Sequence, residues 1–333
     1  MRKLVAIAGL TIGLWGASVQ AAAQTGTPPV GKPKAQAAAV VDADTLDPVA
    51  PSIDHSAYDA LLHKYVANGL VNYAAFHDNP IFEKYLATLN TIDPSKFEEP
   101  ERIAFWLNVY NAYTIELIAS HGETNSIRNI NKTFGLLKLK GPWSDPIVKA
   151  AGWTLTLDDV EHRILRHEFS EPRVHFAMSF GTLGGAPLRS EAYSGAKLDE
   201  QLDDQARIFI LESPTKNSVD TARYTLHASP ILARYRSDFG DSPSALGKFL
   251  SDYFPDGPER RMLRPREVSV RRAQGDFGGG SGNLNAPVTT AGVKADSTKP
   301  KTPPAPTRQF RSFFRIVETP FDWGLNIQTG GKP

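Results

Sequence analysis

From Arg102 to Ile115 the chain carries apolar or aromatic side chains on almost every side and has no glycine or proline. A helix that is apolar all round has no face to give to water, so the rest of the chain must wrap it. This predicts a central buried helix and excludes a surface one. Two amides interrupt the stretch. Asn108 and Asn111 fall one turn apart on one face, shared with Ala104, Ala112 and Ile115. A buried amide destabilises the fold unless it finds hydrogen-bond partners. Two readings stay open: the amides brace neighbouring loops, or they position an active-site group.

The N-terminus reads as an address. Arg2 and Lys3 precede an apolar run from Leu4 to Val19, and Ala21 to Ala23 offer small residues for cleavage before Gln24. The pattern predicts a signal peptide over 1–23 and an exported protein, periplasmic or else extracellular. The run is too short and wrongly flanked for a bilayer span, and no later stretch is long and apolar enough, so no stable membrane span is expected after cleavage. A formal net charge of +1 supplies no basic field for nucleic acid. The sequence has no cysteine, which excludes disulfides, thiolate metal sites and a thiol nucleophile. A chain of 333 residues buries enough core to do without staples in an oxidising compartment.

Residues 24–50 are rich in Ala, Pro, Thr and Gly and read as a disordered leader. A core domain is expected over 51–274, a low-complexity insertion over 275–308, and a C-terminal segment over 309–333 that docks back on the core. Helical spacing marks His55 to Val66, Ile81 to Leu89, Leu198 to Ile210 and Ala245 to Phe254. Trp153 to Leu155 and Tyr224 to His227 read as short strands. Thr156 and Asp159 form a box-like helix start, with Val160, Glu161, Ile164 and Leu165 facing inward. Val174, Phe176, Met178 and Phe180 alternate with other residues and predict a strand, which runs into the glycine-rich loop Gly181 to Leu188. The fold class is α+β, a single domain with a buried central helix and a small mixed or antiparallel sheet.

Chemistry concentrates at that strand, its loop and the capped helix. Glu161, His162 and His175 are the candidate catalytic groups: a carboxylate and two imidazoles for acid–base work. Loop N–H groups near Gly184 and Gly185 would form an oxyanion site, and Ser179 and Thr182 are the nearest hydroxyls. Each residue also has a bland reading. His175 is a satisfied core histidine; Glu161 is a buried carboxylate paired with Arg102 or Arg173; His162 pairs with Asp158 or covers Leu165. The loop lacks the Lys-Ser/Thr of a phosphate loop. Adjacent residues on a helix point about 100° apart, so Glu161 and His162 make poor joint metal ligands; no metal and no cofactor is expected. The arginines between Arg260 and Arg272 form a basic run, solvated or set against an anionic surface.

Several segments together resemble the domain-of-unknown-function family 547: Gly69 to Tyr73, Ala104 to Ala112, Leu157 to His162, Arg173 to Ala177, Pro187 to Tyr193 and Asp322 to Asn326. The resemblance runs in order over roughly residues 52 to 326, and it adds Arg189 and Glu191 to the binding candidates Asn108, Asn111, Ser179, Thr182, Gly184 and Gly185. It also implies a cysteine in the loop, where this chain has Gly185, and a second one where it has Phe180. A cysteine near a histidine and an acid is the layout of a thiol hydrolase or a transglutaminase-like enzyme. The resemblance therefore implies a catalytically altered relative that binds an unknown small ligand, a peptide or an envelope component. The alternatives are a thiol-independent hydrolase using Glu161, His162 and His175, and a cell-envelope interaction protein. The sequence leaves open whether the chain is an enzyme.

Overall fold

The structure is a computed structural model that describes residues 51–130, 132–133, 136–137, 141–240, 242–270 and 307–328. The expected signal peptide 1–23, the leader 24–50 and most of the low-complexity insertion, residues 275–306, lie outside the described residues.

Helix α1 (Ser56–Tyr65) leads into a two-stranded hairpin, β1 (Val66–Ala67) and β2 (Leu70–Val71). Its two turn residues, Asn68 and Gly69, both have positive φ. This is the turn whose twist suits a hairpin, and it favours Asn-Gly. Helix α2 (Pro80–Leu89) starts with proline in its first turn, capped by the Asn79 side chain, which accepts from the Ile81 and Phe82 amides. Helix α1 packs on α2, and α2 packs on α3 (Glu99–Ser120), the predicted central helix, buried along almost its whole length from Ile103.

Three polar side chains of α3 bind backbone far away in the sequence. Asn108 Nδ2 donates to Tyr193 O at 2.8 Å, and its Oδ1 accepts from Tyr193 N at 2.9 Å. Asn111 donates to Ala177 O at 3.0 Å and accepts from Ser179 N at 2.8 Å. Glu101, two turns before Asn108, accepts from Ile53 N at 2.7 Å and Gly195 N at 2.6 Å. Each side chain replaces water for two backbone groups far away in the sequence.

After α3 the chain forms a small hairpin, β3 (Lys132–Thr133) with β4 (Leu136–Leu137), and a second, β5 (Val148–Ala150) with β6 (Trp153–Leu155). Helix α4 (Leu157–Asp159) opens on the expected capping box: Thr156 Oγ1 accepts from Asp159 N, and Asp159 Oδ2 accepts from Thr156 N. The winding then widens to a π-helix over Val160–Leu165, closed by Arg166 N donating to Glu161 O at 3.0 Å, five residues back.

The strand expected over 174–180 is not there. Val174–Ala177 is a one-turn helix, α5, followed by extended chain. Residues 174–179 are all buried. Where every side is buried, alternation of residue types carries no information about period.

Helix α6 (Leu198–Leu211) packs on α5. Strand β7 (Ser218–Asp220) pairs antiparallel with β8 (Thr225–Ala228). There follow α7 (Pro230–Arg234), α8 (Pro243–Ser251), α9 (Pro258–Leu263), and β9 (Arg266–Val270) paired with β10 (Thr307–Arg311). Strand β11 (Arg315–Glu318) pairs parallel to β8, giving a three-stranded mixed sheet of order β11-β8-β7. The architecture is therefore α+β. One core surrounds α3; a second, rich in phenylalanine, lies among α6, β8, α7 and α8 around Phe176, Phe209 and Phe239.

The last described residues cross back over the first hairpin and the glycine-rich loop. Val71 N donates to Asn326 O, Leu183 N to Gly324 O and Gly184 N to Asp322 O, each at 2.8 Å. Tyr73 Oη donates to Asn326 Oδ1 at 2.5 Å.

Replacing Asn108 with Ala orphans the buried N–H and C=O of Tyr193. We expect a loss of about 2–4 kcal/mol, read as a shift of the urea midpoint with an unchanged m-value. A loss below about 0.5 kcal/mol would overturn this reading of the clasp.

Candidate functional site

The cleft that gathers the most chemistry lies beside the π-helix. The wide turn carries Glu161 and His162, and Asp158 precedes it on α4. Single π turns recur at functional sites, because they re-aim side chains that an α-helix would point elsewhere. Tyr235 and Arg234, at the end of α7, form the opposite side with Ile231. Four further rings close the cleft: Trp143, Phe180 and, from the returning tail, Trp323 beside Phe321. The Phe321 and Trp323 centroids are 4.5 Å apart, and Trp143 lies 6.3 Å from Trp323. Arg128 covers the Trp323 ring at 4.9 Å. The enclosed space is about 130 Å³ and opens to solvent.

Glu161 is buried, and its partner is neither Arg102 nor Arg173. The Tyr235 hydroxyl donates to Glu161 Oε1, and His162 Nδ1 lies 3.8 Å from the same oxygen. Arg102 lies over the Phe169 ring instead. Arg173 is occupied by Glu171, Asp199 and Asp203. The Tyr110 hydroxyl is buried and makes no hydrogen bond of good geometry among the described residues, yet its pKa is pushed up by burial and then by the charge of Glu161. Asp158 accepts from the Ser144 hydroxyl. His162 is half-exposed and lies 3.2 Å from Arg166 Nη1 rather than pairing with Asp158.

His175 does not reach this cleft. Its ring is fully buried and stacks on Tyr235 at 4.0 Å, while His162 lies 6.5 Å from the same ring. Tyr235 is thus in ring contact with both imidazoles. His175 Nε2 is 2.7 Å from Asp238 Oδ2, and Arg166 holds both oxygens of Asp238, at 2.6 and 2.9 Å. An oxygen already accepting from Arg166 accepts again from His175, so the Nε2 position carries the proton and Nδ1 is left bare and without a partner among the described residues. Burial pulls the His175 pKa down, against the pull of Asp238. Burial opposes ionisation of Asp238 too, but the donors Arg166 and His175 hold it well below the usual carboxylate range. Burial, and then Glu161, push the Tyr235 phenol up.

The glycine-rich loop lies behind this wall, and its amides at Leu183, Gly184 and Gly185 are already used. Leu183 and Gly184 give their N–H groups to the tail, and Gly185 N donates to Thr182 Oγ1 at 3.1 Å. Lys216 Nζ donates to Gly185 O at 2.7 Å. The expected oxyanion site at Gly184 and Gly185 is therefore closed by the protein's own backbone. A side chain at Gly184 would collide with the Asp322 backbone. A Cβ at Gly185 would lie 2.9 Å from Thr182 Oγ1 and 3.3 Å from the Phe180 ring, so it would meet those two residues. Thr182 bridges to Leu325. The Ser179 amide belongs to Asn111, as described, and Asn108 and Asn111 grip backbone. Arg189 lines a separate groove, held by Glu191 at 2.6 Å and Asp204 at 2.5 Å.

The candidates thus divide. Glu161 and His162 share the cleft, His175 stands one ring behind it, and the loop residues and the Arg189–Glu191 pair lie elsewhere. The residues missed by sequence reasoning are Tyr235, Asp238 and Arg166, and the rings Trp143 and Phe321. Tyr235 and Asp238 come from Pro230 to Phe239, a stretch without clear periodicity. Trp323 had a signal, the closing Asp-Trp-Gly-Leu-Asn run. Among the described residues no group of three or more His, Asp or Glu side chains is placed to hold a metal ion, and no helix is long and apolar enough to cross a membrane.

A buried neutral imidazole must take up a proton once the chain unfolds in acid. With its folded pKa below the unfolded value, His175 contributes no penalty above about pH 6.5, and stability falls as pH drops below that. His55, pulled down to about 4 by burial, acts in the same direction. We expect unfolding free energy to fall between about pH 6.5 and 5, and His175→Gln to flatten part of that fall. A flat wild-type profile would overturn the assignment.

No curated protein and no solved structure matches the chain. One family model does, with the description "Protein of unknown function, DUF547", over residues 94–210. That span runs from the turn before α3 through the capped π-helix and the glycine-rich loop nearly to the end of α6, and residues 94–210 of this chain are a DUF547 domain.

Proposed function

We propose that this protein is an exported binding protein whose ligand occupies the cleft between the π-helix and Tyr235, on a scaffold of thiol-hydrolase or transglutaminase-like ancestry. The observation that carries the reading is the make-up of the cleft. Its lining side chains are five rings, two carboxylates, one imidazole, one guanidinium, a proline and an isoleucine. An apolar, partly enclosed cleft with a few convergent polar groups is the usual form of a small-molecule site. No Ser, Thr, Cys or Lys lines this cleft, so thiol, aliphatic hydroxyl and amine nucleophiles are missing from its lining and a covalent route there would fall to a carboxylate, imidazole or phenol. The glycine at 185 supports the same reading from the sequence side. The exported location rests on the N-terminal pattern.

A second reading has its own observation. Glu161 is a buried carboxylate facing a cleft, with a tyrosine hydroxyl on one oxygen and His162 close by. Such a group can serve as a general base that activates water.

One experiment separates them. The purified mature protein is screened by thermal shift against small amines, acids, saccharides and short peptides, and in parallel for ester, amide and glycoside hydrolysis. The binding reading expects stabilising ligands, about 2.7 kcal/mol at a hundredfold excess over Kd, weakened by Tyr235→Phe, and no turnover. Turnover abolished by Glu161→Gln in a folded variant would replace the binding reading with the hydrolytic one.

A further inference from the structure

We propose that the cleft takes a neutral saccharide ring, stacked on the tail tryptophan and hydrogen-bonded through its hydroxyls to the carboxylates of α4 and the π-helix. This rests on the cleft being the binding site.

The ligand class follows from what the cleft offers. Trp323, Phe321 and Trp143 supply adjoining flat faces from two segments far apart in the chain. A flat face suits a ligand that is itself apolar on one side, and large rigid rings bind at low cost in conformational entropy. Arg128 already occupies part of the Trp323 surface, so that ring is fixed rather than free to swing.

The polar groups narrow the choice. Asp158 and Glu161 accept only, once ionised. Arg234 donates only. A cationic peptide would satisfy the carboxylates and be opposed by Arg234. A multiply charged anion would face two carboxylates at short range, which costs several kcal/mol in a partly desolvated site. A neutral polyhydroxylated ring answers both at once, because each hydroxyl both donates and accepts. It also presents C–H faces to the rings and hydroxyls at its edge to the carboxylates and Arg234, so one ligand meets both kinds of lining group.

The carboxylates are held for such a role. Asp158 is fixed by Ser144 and Glu161 by Tyr235. Each fixed acceptor loses less side-chain entropy when a ligand hydroxyl arrives.

The test uses intrinsic tryptophan emission of the whole mature chain, since two of the four tryptophans that follow the signal peptide line the cleft. Maltotriose, cellotriose and chitotriose are titrated as neutral probes, with trilysine and triaspartate as charged ones. We expect at least one neutral saccharide to give a saturable change, weakened at least tenfold by Asp158→Asn and by Trp323→Ala, and less by Trp323→Phe, which keeps a ring. Far-UV circular dichroism and melting curves establish that each variant is folded. A saccharide titration unaltered by Asp158→Asn and Trp323→Ala would overturn the proposal by placing the site elsewhere. Titration by trilysine or triaspartate, lost in Trp323→Ala, without a saccharide response would overturn the saccharide while leaving the cleft as a binding site. No response to any probe would overturn both.

Discussion

Three side chains on one face of α3 hold the rest of the molecule in register. Glu101, Asn108 and Asn111 each grip backbone groups of segments far away in sequence. The helix is surrounded, so these contacts are the only way it can carry polar groups inward without loss. Because each contact is bidentate, it fixes direction as well as position. Asn111 sets the turn from α5 into the extended chain at Ser179, and Asn108 with Glu101 sets the loop from Tyr193 to Gly195. The glycine-rich loop is strung between those anchors.

Around Tyr235 a second network joins the two sides of the site. Its hydroxyl serves Glu161 in the cleft, its ring stacks on His175, and Arg166 lies 4.9 Å from it while holding Asp238. A buried carboxylate, a buried imidazole and a guanidinium thus share one ring as their common support. Fully partnered networks of this kind are rigid, and partly partnered ones are costly. The bare Nδ1 of His175 and the Tyr110 hydroxyl are the places where this one is incomplete.

Local signals were legible where local physics decides. The all-round apolar helix, the Thr156–Asp159 box and the strand at Trp153 follow from periodicity and capping alone. The segment 174–180 was misread because burial on every side erases periodicity. Glu161 and His162 were legible as chemistry. Tyr235, the partner of Glu161, and Asp238, the partner of His175, were not, because both come from α7 and the turn after it and meet these residues only through tertiary packing. The bracing role of Asn108 and Asn111 was one of two readings that the sequence left open. Glu101 escaped notice because a glutamate in a first helical turn usually serves the helix dipole, and nothing local marks this one as buried.

The contact between residues 180 and 185 has a chemical consequence. A Cβ at position 185 would lie 3.5 Å from Phe180 Cβ, at the short end of the separation of about 3.5–4.5 Å found across disulfide bonds. Cysteines at these two positions, where the family resemblance places them, would be near enough to form a redox couple with each other. Oxidised, such a pair would staple the ends of the loop; reduced, it would release them. This chain has a phenyl ring at one position and no side chain at the other, and its loop is tied by Thr182, Lys216 and the returning tail. The wall of its cleft is thereby set by packing and hydrogen bonds alone, and its shape does not answer to the thiol–disulfide poise of the compartment.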